Sequence, residues 1–425
     1  MIPDQELLDR RRRVLGANAP LFYDRPVHIV RGEGVWVEDA DGRRYLDVYN
    51  NVPHVGHCHP RVVEAIARQA ATLNIHTRYL HERVVEYAER LTATVDAPLS
   101  SVMFTCTGTE SNELAMRMAA YRSGGQGIIV SDFNYHGNSR LLASLTTAFP
   151  TPEPFPAFAR AVPIPDPYRE QLAGEALAEA YANRVAEAVA SLAADGYRMA
   201  ALLFDPMFCN EGLADLTPGF LAKAVEIVRA AGGLFIADEV QAGFGRTGER
   251  MWGHQVQGVT PDLVTLGKPM ANGHPAGGVI APGALVDAFG KDANYFNTFG
   301  GNPVSAAAAM AVLEVIEEEK LLANADAVGR YVRQKLDGLM AKHAVIGNVR
   351  GRGLFFGLEL VSDRDSKTPA PALARTAINR MREAGVLISR IGVHDNVLKM
   401  RPPMVFSRAD ADILIETLDH VLESL

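Results

Sequence analysis

A chain of 425 residues is too long for one hydrophobic core and holds material for two domains around a large sheet. Lys and Arg number 42 against 50 Asp and Glu, and the net charge of −8 argues against nucleic acid as the main partner. Three cysteines, Cys58, Cys106 and Cys209, stand in unrelated contexts and form no disulfide framework, which fits a reducing cytoplasm.

Taken in chain order, the N-terminal stretch is helical and carries the one basic cluster, Arg10 to Arg13, read as a solvated or partner-facing surface. It lacks the apolar segment of a signal peptide, and no stretch approaches membrane-spanning length, so no membrane partner is expected. Residues 35–49 alternate apolar and polar positions around Asp41-Gly42, a hairpin pattern. Residues 60–72 and 81–94 carry helical periodicity. Short apolar runs then recur at 101–106, 126–131, 199–205, 233–239, 261–266 and 276–281, each followed by a helical stretch. That alternation is an α/β layer with a largely parallel sheet, whose active site is expected beyond the carboxyl ends of the strands.

Seven prolines between Pro150 and Pro167 interrupt the rhythm and predict a long irregular loop lining the substrate entrance. From about 304 a long helix precedes strand and helix patterns at 347–360, 370–384, 386–390, 397–401 and 408–424, a smaller α+β domain. The expected division is 1–55 as the N-terminal part of the small domain, 56–303 as the large domain and 304–425 as the rest of the small one.

Two apolar runs end in ionisable residues: Phe235-Ile236-Ala237 in Asp238, and Leu263 to Gly267 in Lys268. They place an acid and an amine at one edge of one sheet. A pyridoxal phosphate enzyme needs both: the lysine to form a Schiff base, and the carboxylate to keep the pyridine nitrogen protonated. Thr107-Gly108-Thr109-Glu110 follows a strand and opens a helix, leaving backbone N–H groups free for a phosphate. By itself the same pattern is an ordinary N-cap. Asn134-Tyr135-His136-Gly137 also follows a strand, and its aromatic ring is suited to stacking on a flat cofactor.

Two other patterns are set aside. Gly243-Phe244-Gly245-Arg246-Thr247-Gly248 matches the dinucleotide glycine fingerprint, yet four residues separate it from Asp238 and no acid follows at the required distance. His54, His57, Cys58 and His59 lack zinc spacing and a second ligand group, so no metal is expected.

Six ordered segments closely resemble the class III (omega-type) aminotransferases of the fold-type I pyridoxal phosphate enzymes. They are Gly56-His57-Cys58-His59-Pro60, Gly108-Thr109-Glu110, Tyr135-His136-Gly137, Asp238 to Gly248, Gly267-Lys268-Pro269 and Thr298-Phe299-Gly300-Gly301-Asn302-Pro303. The resemblance runs from about Val27 to the C-terminus. It implies a large domain with a mostly parallel seven-stranded sheet and a smaller α+β domain. It further implies that Lys268 is the Schiff-base lysine and Asp238 the partner of the ring nitrogen. Tyr135 and Val240 would face the two sides of the ring, Gln241 the ring hydroxyl, and Gly108 and Thr109 the phosphate. Thr298 would assist from a second subunit, which implies a homodimer with shared active sites, and a tetramer remains open.

Departures bear on the substrate. Asn210 stands where glutamate-using members carry a switch glutamate, and Lys399 stands where they carry a carboxylate-binding arginine; Arg401 lies two residues on. Arg408 matches the mobile arginine of pyruvate-accepting omega-transaminases, although Ser407-Arg408-Ala409-Asp410 also reads as a helix start. Asn50 to His57 and Gly267 to Pro275 resemble instead the branch holding alanine–glyoxylate aminotransferase 2 and the phospho-lyases. A lyase would need a cationic pocket for the substrate phosphate, for which Arg78, Lys399 and Arg401 are available. Arg408 favours a transaminase moving an amino group to a keto acid such as pyruvate. The Asn/His motifs leave elimination of phosphate and ammonia open.

Overall fold

The structure is a computed structural model and describes residues 2–425. Helix α1 (Asp4–Leu15) carries the arginine cluster and buries none of its residues. Strands β1 (Ile29–Glu33), β2 (Trp36–Asp39) and β3 (Arg44–Asp47) follow as an antiparallel ribbon. The β2–β3 turn forms because Asp39 Oδ1 accepts from the backbone N–H of Asp41 at 3.0 Å and of Arg43 at 2.9 Å. Helices α2 (Pro60–Thr72) and α3 (Glu82–Thr92) lead to the main sheet.

Its strands are β4 (Leu99–Thr105), β5 (Gly127–Ser131), β6 (Ala159–Val162), β7 (Met199–Phe204), β8 (Leu234–Asp238), β9 (Leu263–Leu266) and β10 (Gly277–Pro282). Between them run α4 (Gly108–Ser123), α5 (Arg140–Leu145), α6 (Pro167–Glu170), α7 (Gly174–Ala194), α8 (Ala222–Ala230) and α9 (Gly253–Gln257), and α10 (Gly283–Ala293) follows β10. The order is β4-β10-β9-β8-β7-β5-β6, with only β10 antiparallel to its neighbours. Every residue of β7, β8 and β9 is buried, as expected of strands covered on both faces. Alternate residues serve opposite layers. Leu202, Phe204, Phe235 and Ala237 pack in the core under α7 and α8, while Ala201, Leu203, Leu234 and Ile236 pack in the core under α4.

The proline-rich stretch is not one irregular loop. Ala159–Val162 pairs in parallel with β5 as the edge strand, and Pro167–Glu170 makes a helical turn. A strand of four residues that contains Arg160 leaves no apolar run, and the edge position is what pairing with β5 alone decides.

The chain continues through α11 (Pro303–Glu318) and α12 (Leu321–Lys342). Then come β11 (Ile346–Arg352), β12 (Phe355–Asp363), β13 (Thr368–Pro369), α13 (Pro371–Glu383), β14 (Val386–Leu387), β15 (Ser389–Ile391), β16 (Val397–Met400) and α14 (Arg408–Glu423). Strands β11-β12-β16-β15 form an antiparallel sheet, with β13 on β12. β14 pairs in parallel with β3, so the N-terminal ribbon and the C-terminal segment share one sheet. Among the described residues no helix is long and apolar enough to cross a membrane.

Candidate active site

Asp238 closes β8, buried at the carboxyl edge of the sheet. Its Oδ2 accepts from Asn112 Nδ2 at 2.9 Å and from His136 Nδ1 at 2.7 Å, and its Oδ1 accepts from Val240 N at 3.1 Å. Asn112 is oriented in turn, because its carbonyl accepts from Thr265 Oγ1 at 2.6 Å. Burial alone would raise the Asp238 carboxyl, but the His136 hydrogen bond and charge, with Asn112 and Lys268, outweigh it and hold the group below the usual carboxylate value. His136 stands in the Tyr135 motif and Asn112 follows the Thr107–Glu110 turn, yet nothing in the sequence indicates that either meets Asp238.

Lys268 begins a 3₁₀ turn just beyond β9, with a φ of 20°. Burial and the Arg401 charge lower its pKa, while Asp238 opposes the shift. The helix α4 lies close against this point because two glycines leave room. A Cβ on Gly108 would sit 2.8 Å from Val240 Cγ2, and one on Gly267 would sit 2.9 Å from the Gly108 nitrogen. Thr107 caps α4 by accepting from Glu110 N at 3.1 Å, and the first-turn N–H groups of Gly108 and Thr109 stay available.

A cavity of about 380 Å³ opens here. Gly108, Thr109, Tyr135, Asp238, Val240, Gln241 and Lys268 all line it. Tyr135 stands at the mouth, with the Phe149 ring 5.7 Å away. Thr298 is exposed in the loop after α10 and does not line the cavity.

The four basic residues expected at the substrate separate. Lys399 and Arg401, from β16 and just beyond it, are buried beside the cavity rather than lining it. Arg401 donates to Gln241 Oε1 and, through Nε, to the Tyr49 carbonyl at 3.1 Å. Burial, then the Arg401 charge, bring Lys399 down to about 7. Among the described residues no carboxylate forms an ion pair with either side chain, although Asp205 is close enough to influence both. Arg408, by contrast, is not brought to the cavity. It is exposed at the start of α14, its guanidinium 5.4 Å from the Tyr331 ring. Ser407 and Asp410 form a capping box, so the helix start fixes the backbone on which Arg408 stands. Arg78 is exposed, with its guanidinium 3.7 Å from the Phe296 ring.

Asp205 also lines the cavity, its pKa raised by burial and by Asp238. Nearby Glu211 is bonded to Ser131 and pushed up to about 8 by burial and the Asp205 charge. The neighbouring Asn210 contributes its carbonyl, which accepts from Gly392 N at 3.2 Å. The Gly243–Gly248 segment turns rather than opening a helix. Its Arg246 is fully buried, donating to the carbonyls of Leu354 (3.1 Å) and Pro402 and lying 3.1 Å from His54 Nδ1. The other histidines of the N-terminal motif are engaged elsewhere: His57 Nε2 bonds Asp47 at 2.7 Å and His59 Nε2 bonds Glu319 at 3.1 Å.

An ionised acid, an amine of lowered pKa, free helix N–H groups and a cavity lined by Tyr135 and Val240 fit pyridoxal phosphate by their chemistry. The model of the family "Aminotransferase class-III" matches residues 22–422. A phospholyase from Arthrobacter, solved in complex with phosphoethanolamine, superposes with a TM-score of 0.95 at 51% identity, covering 99% of this chain and all of that one. An alanine–glyoxylate aminotransferase 2-like protein of Drosophila melanogaster is 40% identical over 96% of this chain and 85% of its own. Ethanolamine-phosphate phospho-lyase homolog 1 of Caenorhabditis elegans is 34% identical over 98% and 93%. The chain belongs to the class III aminotransferase family, an enzyme of fold type I whose cofactor is pyridoxal phosphate.

Proposed function

We propose that the enzyme is a phospho-lyase, releasing phosphate and ammonia from a small phosphorylated amine of the ethanolamine phosphate type, with water consumed and the carbon skeleton leaving as an aldehyde. The observation that carries this reading is the Lys399–Arg401 pair. Charging two basic side chains buried side by side, with no ion-paired carboxylate among the described residues, costs several kcal/mol in a low-dielectric interior, and a dianionic substrate group offsets that cost. The likeness to the Arthrobacter phospholyase supports it. So does the outward position of Arg408.

Pyridoxal phosphate, when bound, draws electrons from the carbon that carries the amine. The residues around it divide the work. Gly108 and Thr109 would hold the cofactor's phosphate through their N–H groups, Tyr135 and Val240 would flank its ring, and Gln241 would face its hydroxyl. Asp238, kept ionised by His136 and Asn112, holds the proton on the ring nitrogen. Lys268 would carry the cofactor and, when free, would take the proton from the substrate carbon, and its lowered pKa favours the neutral amine that can do so. Lys399 and Arg401 draw the substrate's anion to one side of the site.

The second reading is transamination to a keto acid, probed by the same experiment and favoured by the aminotransferase 2-like relative. The holoenzyme is mixed with ethanolamine phosphate and no acceptor. Catalytic release of phosphate and ammonia is the expected result. Stoichiometric conversion to the pyridoxamine form, reversed by pyruvate, sinks the lyase reading in favour of a transaminase.

We also read the protein as a cytoplasmic homodimer, with Thr298 reaching the partner's cofactor phosphate. Leu80 is 100% and Phe299 70% exposed beside an apolar groove of about 490 Å³ that includes Val85 and Phe296, a face suited to a second copy. Residues 1–55 and 304–425 are read as one small domain around 56–303, since β3 pairs with β14.

A further inference from the structure

His274 stands apart from the histidines around it. It lines the same cavity as Lys268 and is half-buried, and burial alone perturbs its ring, with no hydrogen-bond or charged partner among the described residues. His54 and His136, by contrast, are engaged with Phe244 and Asp238. The loop that carries His274 is fastened on both sides. Asn272 Oδ1 accepts from Val55 N at 2.9 Å, Asn272 Nδ2 donates to the Gly56 carbonyl at 2.8 Å, and Ser305 Oγ donates to the Pro275 carbonyl at 3.0 Å. A side chain held on a pinned loop, facing a cavity, with both ring nitrogens unused, is preorganised for a ligand.

The loop's anchor also indicates which ligand. Val55 and Gly56 belong to the segment that begins at Tyr49, whose carbonyl holds Arg401. Gly273, the neighbour of His274, borders Val52 of that segment. His274 and Val52 therefore line one cavity, and Val52 stands three residues along the chain from Tyr49, whose carbonyl holds Arg401.

We propose that His274 is a substrate-binding residue, donating a ring N–H to a phosphoryl oxygen of the phosphorylated amine. This rests on the lyase reading and adds the residue that distinguishes a phosphoryl substrate from an uncharged one. A neutral imidazole suits this role because it donates without adding a further cation to the site.

The test compares holoenzyme with His274→Phe and His274→Gln, using ethanolamine phosphate as substrate, inorganic phosphate as inhibitor and spectral titration of the cofactor. The expected result for His274→Phe is a rise of about tenfold or more in both KM and the phosphate inhibition constant, the scale of one hydrogen bond to a charged group. Its kcat and cofactor affinity stay close to wild type, and His274→Gln, which keeps a donor, recovers most of the loss. Unchanged phosphate inhibition in His274→Phe overturns the proposal, as does weakened cofactor binding, which would assign His274 to the cofactor's phosphate. If wild type releases no phosphate from the substrate, the lyase reading fails separately, and the inhibition constants still decide the role of His274.

Discussion

At the scale of single residues, the site depends on charges held in unusual states. Replacing Asp238 by Asn keeps the size but removes the negative charge that His136 and Asn112 sustain. We expect kcat to fall by about 10²-fold or more, the scale of losing one preorganised electrostatic partner, with the protein still folded by circular dichroism. A loss of only a few-fold would mean that Asp238 does not govern the ring nitrogen. Lys399 gives a stability test. Its folded pKa of about 7 lies below the ordinary 10.5, so between those values the unfolded chain holds a proton that the folded one does not. Stability therefore rises with pH across that window, and the cost of burying the cation is fully present below it. Lys399→Met should raise the melting temperature most at about pH 6 and least at about pH 10. The same variant should bind ethanolamine phosphate more weakly. An equal melting shift at both pH values would contradict the buried-cation account.

Elements show a different limit. Helix α4 reaches the end of β9 only because Gly108 and Gly267 carry no Cβ. Gly267→Ala meets backbone, the Gly108 nitrogen, whereas Gly108→Ala meets a valine side chain that can shift. Cofactor affinity should fall in both, by about tenfold or more for Gly267→Ala and by less for Gly108→Ala, read by spectral titration. The reverse order would mean that the close approach does not set the phosphate seat. These elements were legible in sequence where one physical signal dominated. Buried β7, β8 and β9 announced themselves as unbroken apolar runs, and α4 as a small-residue turn before an apolar helix. Strand β6 did not, because its four residues owe their conformation to pairing with β5. Arg408 illustrates the opposite case: its local pattern held two readings, a mobile substrate arginine and a helix start. The side chain's exposed position beside Tyr331 follows from how α14 packs on α12, which no local pattern records.

For the whole molecule, the apolar face around Leu80 and Phe299 predicts an obligatory assembly. In the proposed homodimer, Leu80→Arg should shift the protein to a smaller species in sedimentation and lower activity in step, because each proposed site would lose the Thr298 of its partner. A fully active monomer would refute shared sites. The sequence by itself determined the α/β architecture and the placing of Asp238 and Lys268 at strand ends on one edge of the sheet, because strand periodicity and strand-end residues are local features, and its six ordered motifs indicated pyridoxal phosphate. Tertiary structure alone decided that His136 and Asn112 hold Asp238, that Arg401 occupies Gln241, and that Lys399 is buried with no ion-paired carboxylate among the described residues. Those are contacts between segments more than a hundred residues apart in the case of Asp238. Their energetics depend on burial and on which charges become neighbours, and both arise only when the chain closes on itself.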